Sequence, residues 1–302
     1  MTAGMRADPV VVEVPTPGGP ARVHVRRPRG ARGTVLLGHG AGGGLRSVDL
    51  TAAVSLLDAE GWATGLVEQP WLVAGRRVAG PPPTLDAAWV PLVQVLRVRG
   101  GALATVRGPL VLGGRSAGAR VACRTAEVLG ADAVLCLSFP LHLPGYADRP
   151  DKSRAPELRL VTDAGRPIAA VQGETDAFGT AAELAAYLPD GAVYPVTGTH
   201  SIPRGSAAAV AAAVLHFTAP LRDRPSANIS PRDDLLTDIC DIRRKRSSRA
   251  DLATGRGTHP SAREWVAAVL ALTPTCSCSP SPPSAARSAR GPVPARPSRP
   301  RD

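Results

Sequence analysis

Residues 109–120 read PLVLGGRSAGAR, and this stretch decides the fold that the sequence predicts. Its first four residues are an apolar run that predicts a short buried strand, and residues 117–129 have the composition of a helix. The turn between them, residues 114–118, fits the pattern G-x-S-x-G, which places a serine on a sharp bend between a strand and a helix. The pattern predicts that the hydroxyl of Ser116 projects above the end of a sheet as a nucleophile.

The simpler interpretation of Ser116 is a helix N-cap, since serine is favoured at that position. The five-residue pattern also arises by chance in a chain with 31 glycines. A buried strand directly before the turn and a helix directly after it favour the nucleophile, because the chemistry needs this strained connection. Gly114 and Gly118 fit it as well, since they remove Cβ atoms where the helix and the strand approach closely.

Strand and helix patterns alternate on both sides of this stretch, as far as Pro220. Uniformly apolar strands separated by helices predict an α/β fold with a mostly parallel central sheet, helices on both faces and an antiparallel N-terminal hairpin. Thr84 is the expected N-cap of the second helix, and residues 69–83 are expected to form a loop. Strands are predicted over residues 10–14, 21–25, 34–37, 62–67, 109–112, 133–137, 168–172 and 192–196, and helices over residues 46–60, 84–98, 117–129, 182–188 and 207–217.

A glycine-rich turn with the sequence GHGAGGG, residues 38–44, follows the third strand. A turn of this kind presents main-chain N–H groups, which stabilise the negative charge that develops on a carbonyl oxygen under attack. One donor is expected from the turn, at Ala41, and the other from Ala117, directly after the nucleophile. Ala41 and Ala117 are therefore the predicted oxyanion hole.

The same turn also fits a dinucleotide-binding pattern, G-x-G-x-x-G, through Gly38, Gly40 and Gly43. Glu68, at the end of the next strand, stands where an acid would bind a ribose. Two observations count against this alternative. A hairpin precedes the strand, and the pattern leaves the turn at residues 114–118 unexplained.

Asp176 and His200 are the candidate partners of Ser116, because sites of this strand–turn–helix type follow the order serine, acid, histidine. Asp176 lies in the turn after a strand, where a carboxylate reaches the base; Glu174 competes with it, and an Asx turn is the structural alternative. Of the six histidines, His200 alone combines this order with a place between the last strand and the last helix. Such a set transfers an acyl group without a metal or an organic cofactor.

Five blocks of sequence, in the right order, resemble the KANL/Tex-type alpha/beta-hydrolase-like domain, a group similar to dienelactone hydrolases. The resemblance implies an alpha/beta-hydrolase fold with the triad Ser116, Asp176 and His200, but it implies no substrate. The blocks are residues 37–43, 113–118, 139–142, 172–176 and 198–201. They include Arg115 and His142, for which the sequence predicts no mechanistic role beyond an anchoring or pocket-lining one for His142.

The expected function is hydrolysis of a small ester, thioester or lactone through an acyl-enzyme. Some members of the family that the chain resembles are similar to non-catalytic subunits of larger assemblies. The alternative is therefore a catalytically silent, hydrolase-like interaction module. The substrate-binding residues and the oligomeric state stay open.

Composition and charge limit the domain organisation and the classes of partner that the sequence predicts. The chain has 302 residues and 44% are hydrophobic, enough for a sizeable core, and a hydrolase domain is expected over residues 1–220. Residues 221–302 are rich in Pro, Ser and Arg and are expected to be largely disordered. The net charge is +11, and the run RRKR at residues 243–246 is able to contact phosphates. Since that tail holds a single aromatic residue, the sequence argues against a nucleic-acid partner.

Localisation and metal binding follow from what the sequence lacks. No run approaches the ~18 apolar residues of a membrane helix, and no signal sequence is visible, so a cytoplasmic enzyme with no membrane partner and a small-molecule substrate is expected. The five cysteines lack the paired spacing of a zinc site, so no metal is expected.

Overall fold

The computed structural model describes residues 8–42, 44–98 and 100–222. The predicted tail, residues 221–302, lies outside this part of the chain apart from Leu221 and Arg222, and the basic run at residues 243–246 lies outside it altogether.

Eight strands form one sheet whose order is β1-β2-β4-β3-β5-β6-β7-β8. The first hairpin is antiparallel and joins β4 in antiparallel pairing, whereas all the pairs from β4 to β8 are parallel. The predicted mostly parallel sheet with an antiparallel N-terminal hairpin is therefore confirmed. The strands are β1 Val10–Thr16, β2 Gly19–Arg26, β3 Thr34–Gly38, β4 Ala63–Glu68, β5 Leu110–Arg115, β6 Ala133–Leu137, β7 Ile168–Gly173 and β8 Val193–Val196.

Seven helices surround this sheet within the described residues, and the core has one layer on each face. Successive residues of β3 show why both faces are apolar: Leu36 packs with one cluster, and Val35 and Leu37 pack with the other. The helices are α1 Val48–Ala59, α2 Pro70–Val73, α3 Pro82–Arg97, α4 Ala117–Thr125, α5 Ala155–Thr162, α6 Ala181–Ala185 and α7 Ala207–Thr218. Buried residues of α1 and α7 cover one face, and those of α3, α4 and α5 cover the other.

A close approach between α4 and β3 sets the height of the nucleophile turn above the sheet. A Cβ atom on Gly118 would lie 2.4 Å from the main-chain carbon and oxygen of Gly38. Because backbone atoms have no room to yield, only glycine permits this contact. Gly38 in turn pairs with Gly114 across β3 and β5, so the two glycine-rich turns meet at the same edge of the sheet.

Three expected features of the helices were wrong. The second predicted helix begins at Pro82, with Pro81 rather than Thr84 at the N-cap, because proline suits the first helical turn, where its missing N–H costs no hydrogen bond. The expected loop over residues 69–83 contains the short helix α2, which also starts with a proline. The helix after Ser116 ends at Thr125, four residues before the predicted end.

Helix α5 lies between β6 and β7 in a segment with no predicted element. Its eight residues include Pro156 and offer little helical periodicity, so packing of Leu158 and Val161 into the core stabilises it instead. No helix within residues 8–42, 44–98 and 100–222 has the length and apolar character needed to cross a membrane.

Candidate active site

Ser116 lies where β5 meets α4, on the bend that its sequence pattern predicts. Its backbone has φ 52° and ψ −112°, a conformation that costs a residue with a Cβ atom about 1–3 kcal/mol and persists only where neighbouring structure holds it. The Ser116 N–H donates to the carbonyl of Leu137 on β6 at 2.9 Å, which is one such constraint. Ser116 occupies the N-cap position of α4, but its hydroxyl makes no capping hydrogen bond to the helix.

His200 contacts both of the other predicted triad residues. Its Nε2 atom lies 2.9 Å from Oγ of Ser116, and its Nδ1 atom lies 2.8 Å from Oδ2 of Asp176. A carboxylate only accepts hydrogen bonds, so Nδ1 carries the proton and Nε2 is free to accept the hydroxyl proton of Ser116. Three side chains from three separate loops at the carboxyl edge of the sheet thus form one continuous hydrogen-bonded chain.

Asp176 is almost fully buried, with 1% of its surface exposed, and three donors are directed at its carboxylate. Oδ1 accepts the main-chain N–H of Phe178 at 2.8 Å, and Oδ2 accepts Nε2 of Gln172 at 2.9 Å in addition to His200. The predicted Asx turn is therefore present, and it holds the carboxylate that contacts the histidine. Burial raises the cost of an unpaired charge, and these hydrogen bonds offset that cost.

Gln172 is a supporting residue that sequence reasoning missed. It is fully buried on β7, and its Nε2 atom also lies 3.1 Å from the carbonyl oxygen of Phe139 and 2.7 Å from that of Gly179. Three acceptors around one nitrogen fix the orientation of the amide, so its donor side faces Asp176. A long polar side chain inside an otherwise apolar strand is the signal that could have revealed this role.

The glycine-rich turn after β3 is held in place by His39. Nε2 of His39 accepts the main-chain N–H of Gln69 at 3.1 Å, so Nδ1 carries the proton and donates to the carbonyl of Gly40 at 2.9 Å. Burial lowers the pKa of His39, which keeps the ring neutral, and the ring of Trp71 packs against it with centroids 5.1 Å apart. A neutral histidine thus couples the predicted oxyanion turn to the end of β4.

The sequence profile of the alpha/beta hydrolase domain family matches residues 31–204, which is more than half of the chain. The chain belongs to this family. The match spans β3 to the turn before α7 and includes all three residues of the hydrogen-bonded chain. A search of curated proteins finds no match to this chain.

Solved structures of hydrolases share the fold of this hydrolase domain. An α/β serine hydrolase without a lid from Xanthomonas campestris is 18% identical, with a TM-score of 0.55 over 72% of this chain and 98% of that one. A dienelactone hydrolase from Anabaena variabilis is 17% identical, with a TM-score of 0.55 over 72% of this chain and 99% of that one. Est1E from Butyrivibrio proteoclasticus is 14% identical, with a TM-score of 0.56 over 71% and 99%. These likenesses establish the α/β-hydrolase fold that the sequence predicts.

The competing acid of the hydrolase domain, Glu174, does not reach His200. Its side chain is exposed, and its main-chain N–H donates to the carbonyl of Val196 at 3.0 Å, which aligns the turn with β8. Phe178, two residues after Asp176, lies instead against the base, with its ring centroid 4.3 Å from that of His200. Its ring shields one face of the imidazole from water.

The dinucleotide alternative loses its acid in this fold. The carboxylate of Glu68 is hydrogen-bonded to His24 on the adjacent strand β2, so it is occupied within the sheet. The turn at Gly40 also lies against Ser116: a Cβ atom on Gly40 would be 3.3 Å from that of Ser116. Gly40 therefore lies beside Ser116, and the predicted donors Ala41 and Ala117 directly follow these two residues in sequence.

His142 anchors its loop and also lines a cavity of about 450 Å³ beside α6. Its main-chain N–H donates to the carbonyl of Phe178 at 3.0 Å, Nδ1 lies 2.9 Å from the carbonyl oxygen of Leu143, and Nε2 lies 3.2 Å from Glu183. A hydrogen bond from the main chain of Thr180, followed by contacts that include His142, lowers the pKa of Glu183. The anchoring role considered for His142 fits these contacts.

Proposed function

We propose that the protein is a serine hydrolase that cleaves a small ester, thioester or lactone, with Ser116 as nucleophile, His200 as general base and Asp176 as the orienting acid. The observation that carries this proposal is the hydrogen-bonded chain from Ser116 Oγ through His200 to Asp176, at 2.9 and 2.8 Å. Each contact lies within the reach that proton transfer requires.

The first chemical step follows from the tautomer of His200. As Oγ of Ser116 attacks the carbonyl carbon, its proton passes to Nε2 of His200, and the imidazolium that forms is stabilised by the carboxylate of Asp176. The carbonyl electron pair moves to the oxygen, where the N–H groups of Ala117 and Ala41 are the proposed donors. Ala117 is the first residue of α4, so its N–H has no partner within the helix and is free for this role.

The second half of the reaction uses the same groups in reverse. The bond to the leaving group breaks, and His200 Nε2 gives its proton to the departing oxygen or sulfur, leaving an acyl group on Ser116. Water then attacks the acyl carbon, donates its proton to His200 and releases the acid, and the proton returns to Ser116. The only reactants that these steps need, besides the protein's own groups, are the substrate and water.

Substrate size is suggested by the short connection between β6 and β7. Residues 138–167 hold only a single 3-10 turn and helix α5, so no domain is inserted between these two strands. One similar structure is described as a serine hydrolase without a lid, and another as Est1E with ferulic acid bound. Both descriptions support a small carboxylic ester as the kind of substrate to test first.

The experiment is labelling with a fluorophosphonate probe, which reacts with an activated serine. We expect the full chain to be labelled, the Ser116→Ala variant to remain unlabelled, and the control Ser55→Ala, on the exposed side of α1, to be labelled like the wild type. Hydrolysis of p-nitrophenyl acetate, an acyl thioester and a simple lactone then ranks the three substrate classes. A folded wild-type chain that takes no label would refute the proposal and support the silent interaction module.

A further inference from the structure

Arg115 is the last residue of β5 and stands directly before the nucleophile, yet its side chain does not extend into solvent. Only 15% of that side chain is exposed. Its Nη2 atom donates to the main-chain carbonyl of His200 at 2.7 Å. One guanidinium thus connects the strand that carries the nucleophile to the loop that carries the base, across 85 residues of sequence.

The counter-ion of Arg115 is Asp49, in the first turn of α1. Nε of Arg115 lies 3.5 Å from Oδ2 of Asp49 and forms no hydrogen bond within the described residues. The Asp49 side chain is 2% exposed, and it accepts the N–H of Leu50 at 2.9 Å and the hydroxyl of Ser138 at 3.3 Å. Asp49 therefore neutralises the buried cation, but the shortest hydrogen bond of Arg115 goes to the His200 loop.

Arg115 also contacts the oxyanion turn. A Cβ atom on Gly40 would lie 2.7 Å from Nη1 of Arg115 and 3.3 Å from Cβ of Ser116. The guanidinium consequently packs directly against Gly40, beside the nucleophile. A side chain at residue 40 would displace Arg115, so the glycine permits this contact.

We infer that Arg115 is a positioning residue: it holds the loop of His200 at the distance from Ser116 that proton transfer needs. The inference rests on the proposed function, since it assigns a role within that reaction. Proton transfer is sensitive to placement, and a shift of about 1 Å in a reacting group lowers rates by about 10²-fold. Asp176 orients the imidazole ring, whereas Arg115 fixes the backbone from which the ring projects.

Arginine suits this role because its donors are arranged on one rigid plane. Nη2 reaches the His200 carbonyl while Nε faces Asp49 and Nη1 lies against Gly40. A lysine carries a single point charge, so it satisfies one of these partners at a time. Since buried Asp49 is the charged partner, a lysine at residue 115 is expected to turn toward it and release the His200 carbonyl.

Arg166 offers a matched control at the opposite edge of the sheet. It precedes β7, its side chain is 18% exposed, and it donates to the carbonyl of Ala131 at 3.0 Å and to the carboxylate of Glu127 at 2.6 Å. Removing either guanidinium deletes one carbonyl contact and one carboxylate contact, but Glu127 is 72% exposed whereas Asp49 is buried. Only the loss at Arg115 changes the geometry around Ser116.

The test compares Arg115→Met, Arg115→Lys and Arg166→Met in the full chain. The readouts are the rate of fluorophosphonate labelling, kcat and KM for p-nitrophenyl acetate, and the midpoint of thermal unfolding. We expect Arg115→Met to lower kcat and the labelling rate by about 10²-fold with KM unchanged, because the largely buried Arg115 side chain acts on the loop of His200 rather than on the substrate. Arg166→Met is expected to lower the unfolding midpoint by less, because the Glu127 carboxylate that it leaves unpaired is exposed, and to keep the wild-type kcat.

The remaining outcomes separate the positioning role of Arg115 from the proposed function. Three results overturn the positioning role: a wild-type kcat in Arg115→Met, a change in Arg115→Met that is confined to KM, or an equal loss of kcat in Arg166→Met. In each case a wild type that is labelled keeps the proposed function. An unlabelled wild type overturns both. If Arg115→Met does not fold, Arg115→Lys carries the test: a folded lysine variant with kcat lowered about tenfold or more supports the role, and one with wild-type kcat overturns it.

Discussion

Replacing Asp176 with asparagine changes the most crowded hydrogen-bonding position of the site. The carboxylate accepts three donors, from Phe178 on Oδ1 and from Gln172 and His200 on Oδ2. Asparagine keeps one acceptor and places an NH2 group at the other position. The orientation of the asparagine amide decides which ring nitrogen of His200 carries the proton.

The structure favours the orientation in which the asparagine oxygen stays with Phe178. Gln172 has two amide protons for three acceptors, so the carbonyls of Phe139 and Gly179 still satisfy it when Oδ2 is lost. The new NH2 group then donates to Nδ1 of His200, which moves the ring proton to Nε2. An Nε2–H group cannot accept the proton of Ser116.

We therefore expect Asp176→Asn to lower kcat by about 10⁴-fold, the scale of a wrong histidine tautomer, while the chain still folds. The opposing amides of residues 172 and 176 are expected to cost about 1–3 kcal/mol in the free energy of unfolding. The measurements are kcat for p-nitrophenyl acetate, the labelling rate and urea denaturation.

Glu174→Gln is the matched control for Asp176→Asn, because Glu174 lies two residues away on the same turn and its side chain is exposed. It is expected to keep the wild-type kcat. A Glu174→Gln variant as impaired as Asp176→Asn, or an Asp176→Asn variant within about tenfold of the wild type, would show that this tautomer argument is wrong.

Three further outcomes are expected. Gly118→Ala places a Cβ atom 2.4 Å from the backbone of Gly38 and should cost at least about 1–3 kcal/mol in urea unfolding, whereas Gly205→Ala, with open space around it, should be near neutral. Burial lowers the pKa of His39, so at pH values near and below the ordinary histidine pKa of 6.5 the unfolded chain binds more protons than the folded chain. The free energy of unfolding should therefore decrease when the pH is lowered from 7.5 to 5.5, and His39→Gln should make that decrease smaller. A chain that ends at Arg222 retains every residue of the site and should be labelled at the full-length rate; a slower rate would place part of the site in residues 223–302.

The sheet was predictable wherever a strand is buried on both faces. Residues 133–137 are uniformly apolar in sequence and form β6 with the predicted bounds, because a strand covered by helices on both sides needs apolar residues at every position. Short helices with prolines were not predictable in this way. Helices α2 and α5 depend on packing against the sheet, and their own sequences carry too few turns to show a periodicity.

The residues of the hydrogen-bonded chain were predictable because their chemistry restricts where they occur along a chain. A nucleophile on a strained turn needs glycines around it, and the acid and the base must follow later strands in a fixed order. No such restriction on position along the chain applied to Gln172, Phe178 or Arg115. Their partners are a side chain, a ring and a main-chain carbonyl brought together only when the strands align.

Sequence by itself determined the alternation of strands and helices, the bend at Ser116 and the order in which the acid and the base follow it, since these depend on local backbone chemistry and on residue type. Tertiary structure alone decided that Arg115 bonds the carbonyl of His200 and that His39 couples two turns. Hydrogen bonds of that kind join atoms from distant segments, so their geometry exists only after the sheet has placed those segments side by side.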